Sequence, residues 1–172
     1  MKTRSPFGFQ SNATWDELFA IANQYGDWIS VHTDPRWGGS FELLEKASRL
    51  TTKPILAKGI HAQDSDIERA LEMGADYVLV VGRIPNVQLQ KCVIEPHALE
   101  ELADLPPDIK AVWNARDLSD GSAKTETYAQ AREIFPGWLC QASFIATYED
   151  IQPGADAVLI GQNLPHFVHS IK

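Results

Sequence analysis

The segment Gly74-Ala-Asp-Tyr-Val-Leu-Val80 recurs with two changes as Gly154-Ala-Asp-Ala-Val-Leu-Ile160. In each copy, a glycine suited to ending a helix precedes a short turn and an almost wholly apolar segment, which is typical of a buried parallel strand. Because the copies lie about half a chain apart, they indicate a half-barrel repeat. We therefore expect an α/β fold of alternating parallel strands and helices.

The rest of the chain continues this alternation. Thr14-Trp-Asp-Glu17 and Ser65-Asp-Ile-Glu68 have the spacing of capping boxes, and Gly26 and Gly74 end the helices that follow them. Lys2–Ser5 is interpreted as the remnant of a strand before the first helix. The other predicted strands are 28–33, 54–60, 77–81, 92–95, 109–113, 138–143 and 157–160, and the predicted helices are 14–26, 40–50, 65–74, 97–105, 125–135 and 167–172.

Eight strands separated by helices predict a minimal (β/α)8 TIM barrel with a truncated first strand and no N-terminal extension. The alternative is an open doubly wound sheet, but no Gly-rich dinucleotide or phosphate-binding fingerprint follows any strand. At 172 residues the chain is short for such a barrel, and we expect a single domain over residues 1–172. Either its connections are very short or it lacks a piece at its beginning, and the abrupt start at Lys2 favours the second expectation.

Composition and charge exclude several classes of function. With a net charge of −8 and a pI near 5.0, the chain offers no basic surface for nucleic acid or an anionic membrane. The N-terminus lacks the apolar core of a signal peptide, and no apolar run reaches transmembrane length. Cys92 and Cys140 are too far apart to indicate a zinc ribbon or a disulfide framework. We expect a soluble, cytoplasmic protein.

Polar side chains follow several predicted strands at the point where each strand ends, which is where barrel enzymes hold their active sites. The most unusual of them is Lys58, because an amine at the end of a buried strand must be paired or lose its charge. The residues expected to converge at this end of the barrel are Lys2, His32, Lys58, Arg83, Glu95, Asn114, Arg116 and Ser143.

A more specific pattern is carried by a series of segments. They are Ser30-Val-His-Thr-Asp34 with Trp37-Gly-Gly-Ser40, Pro54-Ile-Leu-Ala-Lys58, Gly74-Ala-Asp76, Asn114-Ala-Arg-Asp-Leu118 and Ala155-Asp-Ala-Val-Leu-Ile-Gly161. In this order they resemble the indole-3-glycerol phosphate synthase family, and the resemblance covers nearly the whole chain. It implies a lyase of tryptophan biosynthesis that closes and decarboxylates 1-(2-carboxyphenylamino)-1-deoxyribulose 5-phosphate to indole glycerol phosphate, without a cofactor or metal.

The resemblance also implies a role for each matched residue. Lys58 matches the general acid that protonates the substrate carbonyl, and Glu95 matches the carboxylate that handles protons during dehydration. Lys2 would supply positive charge near the substrate carboxylate or phosphate. The residues matched to substrate binding are Asn114 and Ser143 at the sugar chain, Arg116 beside Asn114 or the anthranilate end, Trp37 flanking the ring, and Gly161 by the phosphate.

The chain departs from the family pattern in places that concern catalysis and phosphate binding. The family has a glutamate two residues before the lysine that matches Lys2, and this glutamate has no counterpart here. The Lys-Asp-Phe of the family is replaced by Lys58-Gly-Ile60, and its Glu-Ser-Gly-Ile is replaced by Ala142-Ser-Phe-Ile145. Gln162 replaces a small hydroxyl residue. Two of these changes affect the phosphate cradle, where glycine allows the backbone to approach an anion.

These departures leave two hypotheses. The first is an enzyme of the indole-3-glycerol phosphate synthase type, with Lys58 as acid and Glu95 as its proton partner. The second is a diverged, non-catalytic barrel that binds a related small anion or a protein partner. A phosphoribosylanthranilate isomerase is a weaker option. It would need a cysteine base at the end of the first strand, and there is none.

The segments that resemble the family do not include the N-terminal extension that covers the substrate in its members. Three consequences are open: a second copy or a partner subunit covers the barrel end, the ligand differs, or catalysis is lost because water enters the site.

Overall fold

The computed structural model describes residues 1–171, in which seven parallel strands alternate with helices. The strands are β1 (Ile29–His32), β2 (Ile55–Lys58), β3 (Tyr77–Val81), β4 (Cys92–Glu95), β5 (Lys110–Asn114), β6 (Leu139–Ala142) and β7 (Ala157–Leu159). The α-helices are α1 (Trp15–Tyr25), α2 (Phe41–Leu50), α3 (Asp64–Glu72), α4 (Leu99–Ala103), α5 (Tyr128–Ile134) and α6 (Leu164–Ser170).

The strands lie side by side in chain order, and each neighbouring pair from β1 to β7 is parallel. An open doubly wound sheet would reverse its strand order at a switch point, so this alternative is excluded. Helix α1 packs against α6 and brings the two edges of the sheet towards each other. The fold is therefore a nearly closed barrel of the minimal (β/α)8 type.

The prediction of a strand remnant at Lys2–Ser5 is wrong. Arg4 forms only an isolated antiparallel bridge with Gln10, because the segment turns back on itself instead of running parallel to β1. The Lys2 side chain nevertheless lies close to Gly161, directly after β7. The segment thus occupies the space between β7 and β1 without joining the sheet.

Two helix boundaries also differ from the predictions. Ser65 is not the cap of α3, because the backbone N–H of Gln63 donates to the Asp66 carboxylate at 3.1 Å and the helix begins at Asp64. Asp66 lies closer to the preceding turn than Glu68, and it forms the capping contact that was predicted for Glu68. The last helix begins at Leu164 rather than 167, and Lys172 lies outside the described residues.

Both faces of the sheet are buried, which explains why the strands read as continuous apolar runs. Alternate side chains such as Val31, Ile94 and Trp113 point outwards and pack against the helices. The side chains between them point into the barrel and form a separate apolar cluster. This inner cluster consists of Leu56, Leu79, Val81, Val93, Val112, Cys140 and Ala142.

The internal repeat has a structural role that is the same in both copies. Asp76 accepts a hydrogen bond from the Ile55 N–H at 2.8 Å, and Asp156 accepts one from the Leu139 N–H at 2.8 Å. Each aspartate therefore holds the first residue of the preceding strand, in β2 and in β6. The glycine two residues before each aspartate has a positive φ; Gly74 ends α3 in this way, whereas Gly154 lies in a turn with no α-helix directly before it.

Aromatic rings close the amino-terminal end of the barrel. The Trp28 ring stacks on Tyr77 with a centroid distance of 4.4 Å and on Trp138 with a distance of 6.1 Å. The Lys110 amine lies over the Tyr77 ring, 5.3 Å from its centroid. Since all four residues lie at or just before the first residue of a strand, they are at the opposite end from the residues that end the strands.

We expect Trp28→Ala to lower the free energy of unfolding by about 2–4 kcal/mol, because it removes the middle ring of this stack and leaves a cavity. Denaturant unfolding followed by circular dichroism measures the change. Tyr148→Ala is the control, since this aromatic residue is 64% exposed and its loss should change stability by about 0.5 kcal/mol or less. Equal effects of both substitutions would contradict a role for the stack.

Candidate active site

A cavity opens at the carboxyl-terminal end of the strands. It contains about 920 Å³ of space including its open mouth, enough for a small phosphorylated ligand. All eight residues to which the resemblance assigns a role line it: Lys2, Trp37, Lys58, Glu95, Asn114, Arg116, Ser143 and Gly161. The parallel strands bring them together because Lys58, Glu95 and Asn114 are each the last residue of their strand. Their roles stay predictions.

Lys58 is paired, as the sequence requires of an amine in this position. Its Nζ lies 3.3 Å from Glu95 Oε2, and their side chains are 19% and 2% exposed. An ion pair this well shielded is stronger than a surface pair, because little water screens it. The pair therefore joins a group that can donate a proton to one that can accept it within a single cavity wall.

A chain of hydrogen bonds continues from this pair across the next two strands. Asn114 Nδ2 donates to Glu95 Oε1 at 2.7 Å, and Ser143 Oγ donates to Asn114 Oδ1 at 2.6 Å. The backbone N–H of Arg116 donates to the same Asn114 oxygen at 3.0 Å. Glu95 consequently has a partner on each oxygen, and its carboxylate is fixed in position.

Positive charge dominates the cavity although the chain as a whole is acidic. Lys2, Lys58 and Arg116 line it together with one carboxylate, Glu95, which gives these side chains a formal charge of +2 against −8 for the protein. Burial, together with the nearby charges of Arg116 and Lys58, lowers the pKa of Lys2 to about 8. Such a cavity favours a small anionic ligand.

The aromatic residue matched to the substrate ring lies between two of the polar groups. Lys2 Nζ lies over the Trp37 ring, 4.8 Å from its centroid, and the His32 ring stacks on Trp37 with a centroid distance of 5.5 Å. Trp37 thus provides an apolar surface directly beside positive charge. This combination suits a ligand that has both an aromatic ring and an anionic group.

The loop after β6 has an unusual backbone. Ser143 and Phe144 have φ values of 69° and 54°, in the left-handed region that glycine occupies without strain. Phe144 stands where the resemblance places a glycine, so the backbone shape is kept at a cost of about 1–2 kcal/mol. Part of this cost is offset by the Arg116 guanidinium, which lies 4.3 Å from the Phe144 ring centroid.

Another departure from the family pattern, Gly59 after Lys58, has a steric explanation. A Cβ at this position would lie 2.6 Å from Thr33 Oγ1 and 3.1 Å from His61 Cε1. Thr33 Oγ1 and His61 Nε2 are hydrogen-bonded at 3.0 Å and fill the space. A residue larger than glycine would have to displace this buried pair.

The prediction that Arg83 converges with the other polar residues is wrong, since it does not line the cavity. Arg83 points away from it and contacts Asp64 at 2.6 Å. Cys92 and Cys140 are buried free thiols, and burial raises their pKa values to about 11 and 12, so neither offers a reactive thiolate. Within residues 1–171, no cluster of three or more His, Cys, Asp or Glu side chains could hold a metal ion.

Sequence reasoning also missed parts of the cavity. Ser30, two residues before His32 on β1, lines the cavity wall. Its position was detectable, since residues two apart on a strand face the same side. Phe144 was identified only as a departure from the family pattern, and its contact with Arg116 was not predictable because it depends on a left-handed backbone.

No helix among the described residues is long and apolar enough to span a membrane.

Fold and cavity together define an α/β-barrel protein with a Lys–Glu ion pair and a positively charged pocket at the carboxyl-terminal end of the strands. Comparison with known proteins gives a narrower class. The family model for indole-3-glycerol phosphate synthase matches residues 1–167. The chain therefore belongs to the indole-3-glycerol phosphate synthase family.

Individual relatives agree with the family model. Indole-3-glycerol phosphate synthase from Thermococcus kodakarensis is 35% identical, over 79% of this chain and 70% of the relative. The enzyme of the same name from Sulfurisphaera tokodaii is 29% identical, over 99% of this chain and 78% of the relative. The one from Halalkalibacterium halodurans is 29% identical, and there the match spans 62% of the relative's length.

Family membership confirms the resemblance found in the sequence and favours a decarboxylating carbon–carbon lyase over a non-catalytic barrel.

Proposed function

We propose that this chain converts 1-(2-carboxyphenylamino)-1-deoxyribulose 5-phosphate to indole glycerol phosphate, carbon dioxide and water. The observation that carries this proposal is the Lys58–Glu95 pair, 3.3 Å apart, in a cavity whose other charged side chains are basic. The substrate has a carboxylate, a phosphate and an aromatic ring. The cavity offers cations for the anionic groups and the Trp37 ring for the aromatic one.

In the first step, Lys58 donates a proton to the substrate carbonyl oxygen while the ring carbon that bears the carboxylate attacks the carbonyl carbon. A carbon–carbon bond forms, and the carbonyl oxygen becomes a hydroxyl. The carboxylate then leaves as carbon dioxide, and its bonding electrons restore the aromatic ring. Protonation during attack lowers the barrier because negative charge never builds up on the oxygen.

In the second step, Lys58, which has taken up a proton from solvent, protonates the new hydroxyl, and this group leaves as water while the five-membered ring loses a proton to become an indole. Glu95 accepts that proton, and its contact with Lys58 lets the pair return to its starting state. The hydrogen bond from Asn114 holds the Glu95 carboxylate in reach throughout.

The direct test is to incubate the purified chain with this substrate and follow indole fluorescence together with released carbon dioxide. We expect both products in equal amounts. The corresponding anilino-sugar phosphate without the ring carboxylate is the control, and it should give neither. Tight binding of the substrate without turnover would overturn the enzyme and support the non-catalytic barrel instead.

Substrate affinity should depend on the charge of Lys2. Because the pKa of Lys2 is lowered to about 8, its amine is charged below pH 8 and loses its charge as the pH rises through that value. An anionic substrate binds the charged form better, so we expect KM to rise about tenfold between pH 7.5 and 9.5. Steady-state kinetics across this range measure the change.

Lys2→Arg is the matched control for this pH dependence, since arginine stays charged throughout the range. Its KM should remain nearly constant, whereas Lys2→Ala should have a high KM at every pH. A parallel rise of KM in the wild type and in Lys2→Arg would show that another group is responsible.

We further propose that a second copy of the chain, or a partner subunit, covers the open mouth of the cavity. Phe144 and Tyr148, in the loop after β6, are 47% and 64% exposed. Phe144 lines the cavity, and an exposed apolar surface beside a binding cavity is typical of a site that a partner covers. Sedimentation of the wild type and of Phe144→Ser, with and without substrate, tests this cover.

A further inference from the structure

One wall of the cavity contains polar atoms that nothing in the proposed mechanism uses. Ser30 and His32 lie on β1 and both line the cavity. Ser30 Oγ and His32 Nδ1 are buried, and neither has a hydrogen-bond partner among the described residues. Buried polar atoms are nearly always hydrogen-bonded in folded proteins, so this wall is incomplete without a ligand.

His32 is placed next to the reacting groups. It pairs with Lys58 in the register between β1 and β2, so the two side chains point to the same side of the sheet. Its ring stacks on Trp37 with an interplanar angle of 16°. It therefore contacts the predicted site of the aromatic ring at Trp37 and is next to Lys58, the predicted site of the substrate carbonyl, in the strand register.

The imidazole of His32 is held neutral. His32 is only 6% exposed. This burial, together with the charge of Lys58, lowers the pKa of its imidazole well below the usual range. A neutral imidazole has one N–H and one lone pair. The neighbouring ammonium groups of Lys58 and Lys2 favour the orientation in which the lone pair faces the cavity.

The other buried histidine lacks this property. His61 Nε2 is hydrogen-bonded to Thr33 Oγ1 at 3.0 Å and His61 Nδ1 to Leu79 O at 2.5 Å, and the residue lies outside the cavity lining. Both of its ring nitrogens are thus used by the protein itself. The contrast shows that the unpartnered nitrogen of His32 is not a general property of buried histidines in this fold.

We infer that His32 is a specificity-determining residue that accepts a hydrogen bond from the anilino N–H of the substrate. This N–H joins the aromatic ring to the carbon next to the carbonyl, so it falls between Trp37 and Lys58. The acceptor rejects analogues without the N–H, because the imidazole would then stay buried and unpaired. The inference rests on the proposed function for the identity of the substrate.

The test compares two analogues in which the substrate carbonyl is reduced to an alcohol, so that neither can react. One keeps the anilino N–H, and the other has an ether oxygen in its place. In the wild type, the N–H analogue should bind about tenfold more tightly, the effect of one buried hydrogen bond with its desolvation cost. In His32→Leu the difference should fall below about twofold.

Two further variants show which nitrogen acts and protect the result against misfolding. The His32→Asn amide oxygen falls near Nδ1 and the His32→Gln oxygen near Nε2, so one of them should recover the preference for the N–H analogue. In ¹⁵N spectra, the lone-pair nitrogen of wild-type His32 should move upfield when the N–H analogue binds, and the His61 resonances should stay in place.

The outcomes separate this inference from the proposed function. Turnover of the substrate with equal binding of both analogues would keep the function and overturn the role of His32. Binding of neither analogue would overturn both. A preference for the N–H analogue that is lost in His32→Leu, in a chain that does not turn over substrate, would refute catalysis but support His32 as the acceptor.

Discussion

Replacing Lys58 with alanine should lower kcat by about 10³-fold or more, because it removes the group proposed to protonate the substrate carbonyl. KM should change much less, since the other cations of the cavity remain. The loss also leaves the Glu95 carboxylate, which is 2% exposed, with Asn114 as its remaining partner. Indole fluorescence under saturating substrate measures the effect on kcat.

Lys110→Ala is the matched control for this substitution. Lys110 is half-buried, begins β5 and lies over the Tyr77 ring at the opposite end of the same barrel. Its loss should reduce stability slightly and leave kcat within about twofold. If Lys58→Ala and Lys110→Ala lowered kcat to the same extent, the effect would come from the barrel as a whole, and Lys58 would not be the acid.

Replacing Glu95 with glutamine should lower kcat by about 10²-fold or more, because the amide cannot accept the proton released during dehydration. The shape of the side chain is preserved, but its amide hydrogens would now face the Lys58 ammonium or the Asn114 amide. We therefore also expect a loss of about 1–3 kcal/mol in the free energy of unfolding. Kinetics and denaturant unfolding measure the two effects separately.

Glu101→Gln provides the comparison for Glu95. Glu101 is an exposed carboxylate on α4, the helix that follows β4, and it accepts a hydrogen bond from the His97 N–H at 2.8 Å. Its kcat should match the wild type within about twofold. A Glu95→Gln enzyme with full kcat and reduced stability would assign Glu95 a purely structural role.

Much of the architecture was predictable from the sequence because a parallel strand buried on both faces is unmistakably apolar. The repeated Gly-Ala-Asp segments and the alternation of strands and helices are enough to indicate the barrel. The convergence of Lys58, Glu95 and Asn114 also follows, since the carboxyl ends of parallel strands meet at one end of a barrel. Seven of the eight predicted strands are present in the described residues.

The failures are local and depend on contacts that a linear pattern does not contain. Lys2–Ser5 looked like a strand end, but its pairing with Gln10 turns it back on itself. The cap of α3 shifted because Asp66 lies nearer to the turn than Glu68. Residue spacing showed that His32 faces the cavity, but only the coordinates show that one of its nitrogens lacks a partner.

Stability and chemistry are located at opposite ends of this barrel. The aspartate contacts at the starts of β2 and β6 and the rings around Trp28 hold the amino-terminal end, whereas Lys58 and Glu95 lie at the other. Substitutions such as Phe144 can therefore accumulate around the ligand while the structural end keeps the chain folded. Such a scaffold is well suited to acquire a new substrate preference by mutation, since the amino-terminal end can offset a modest loss of stability at the cavity.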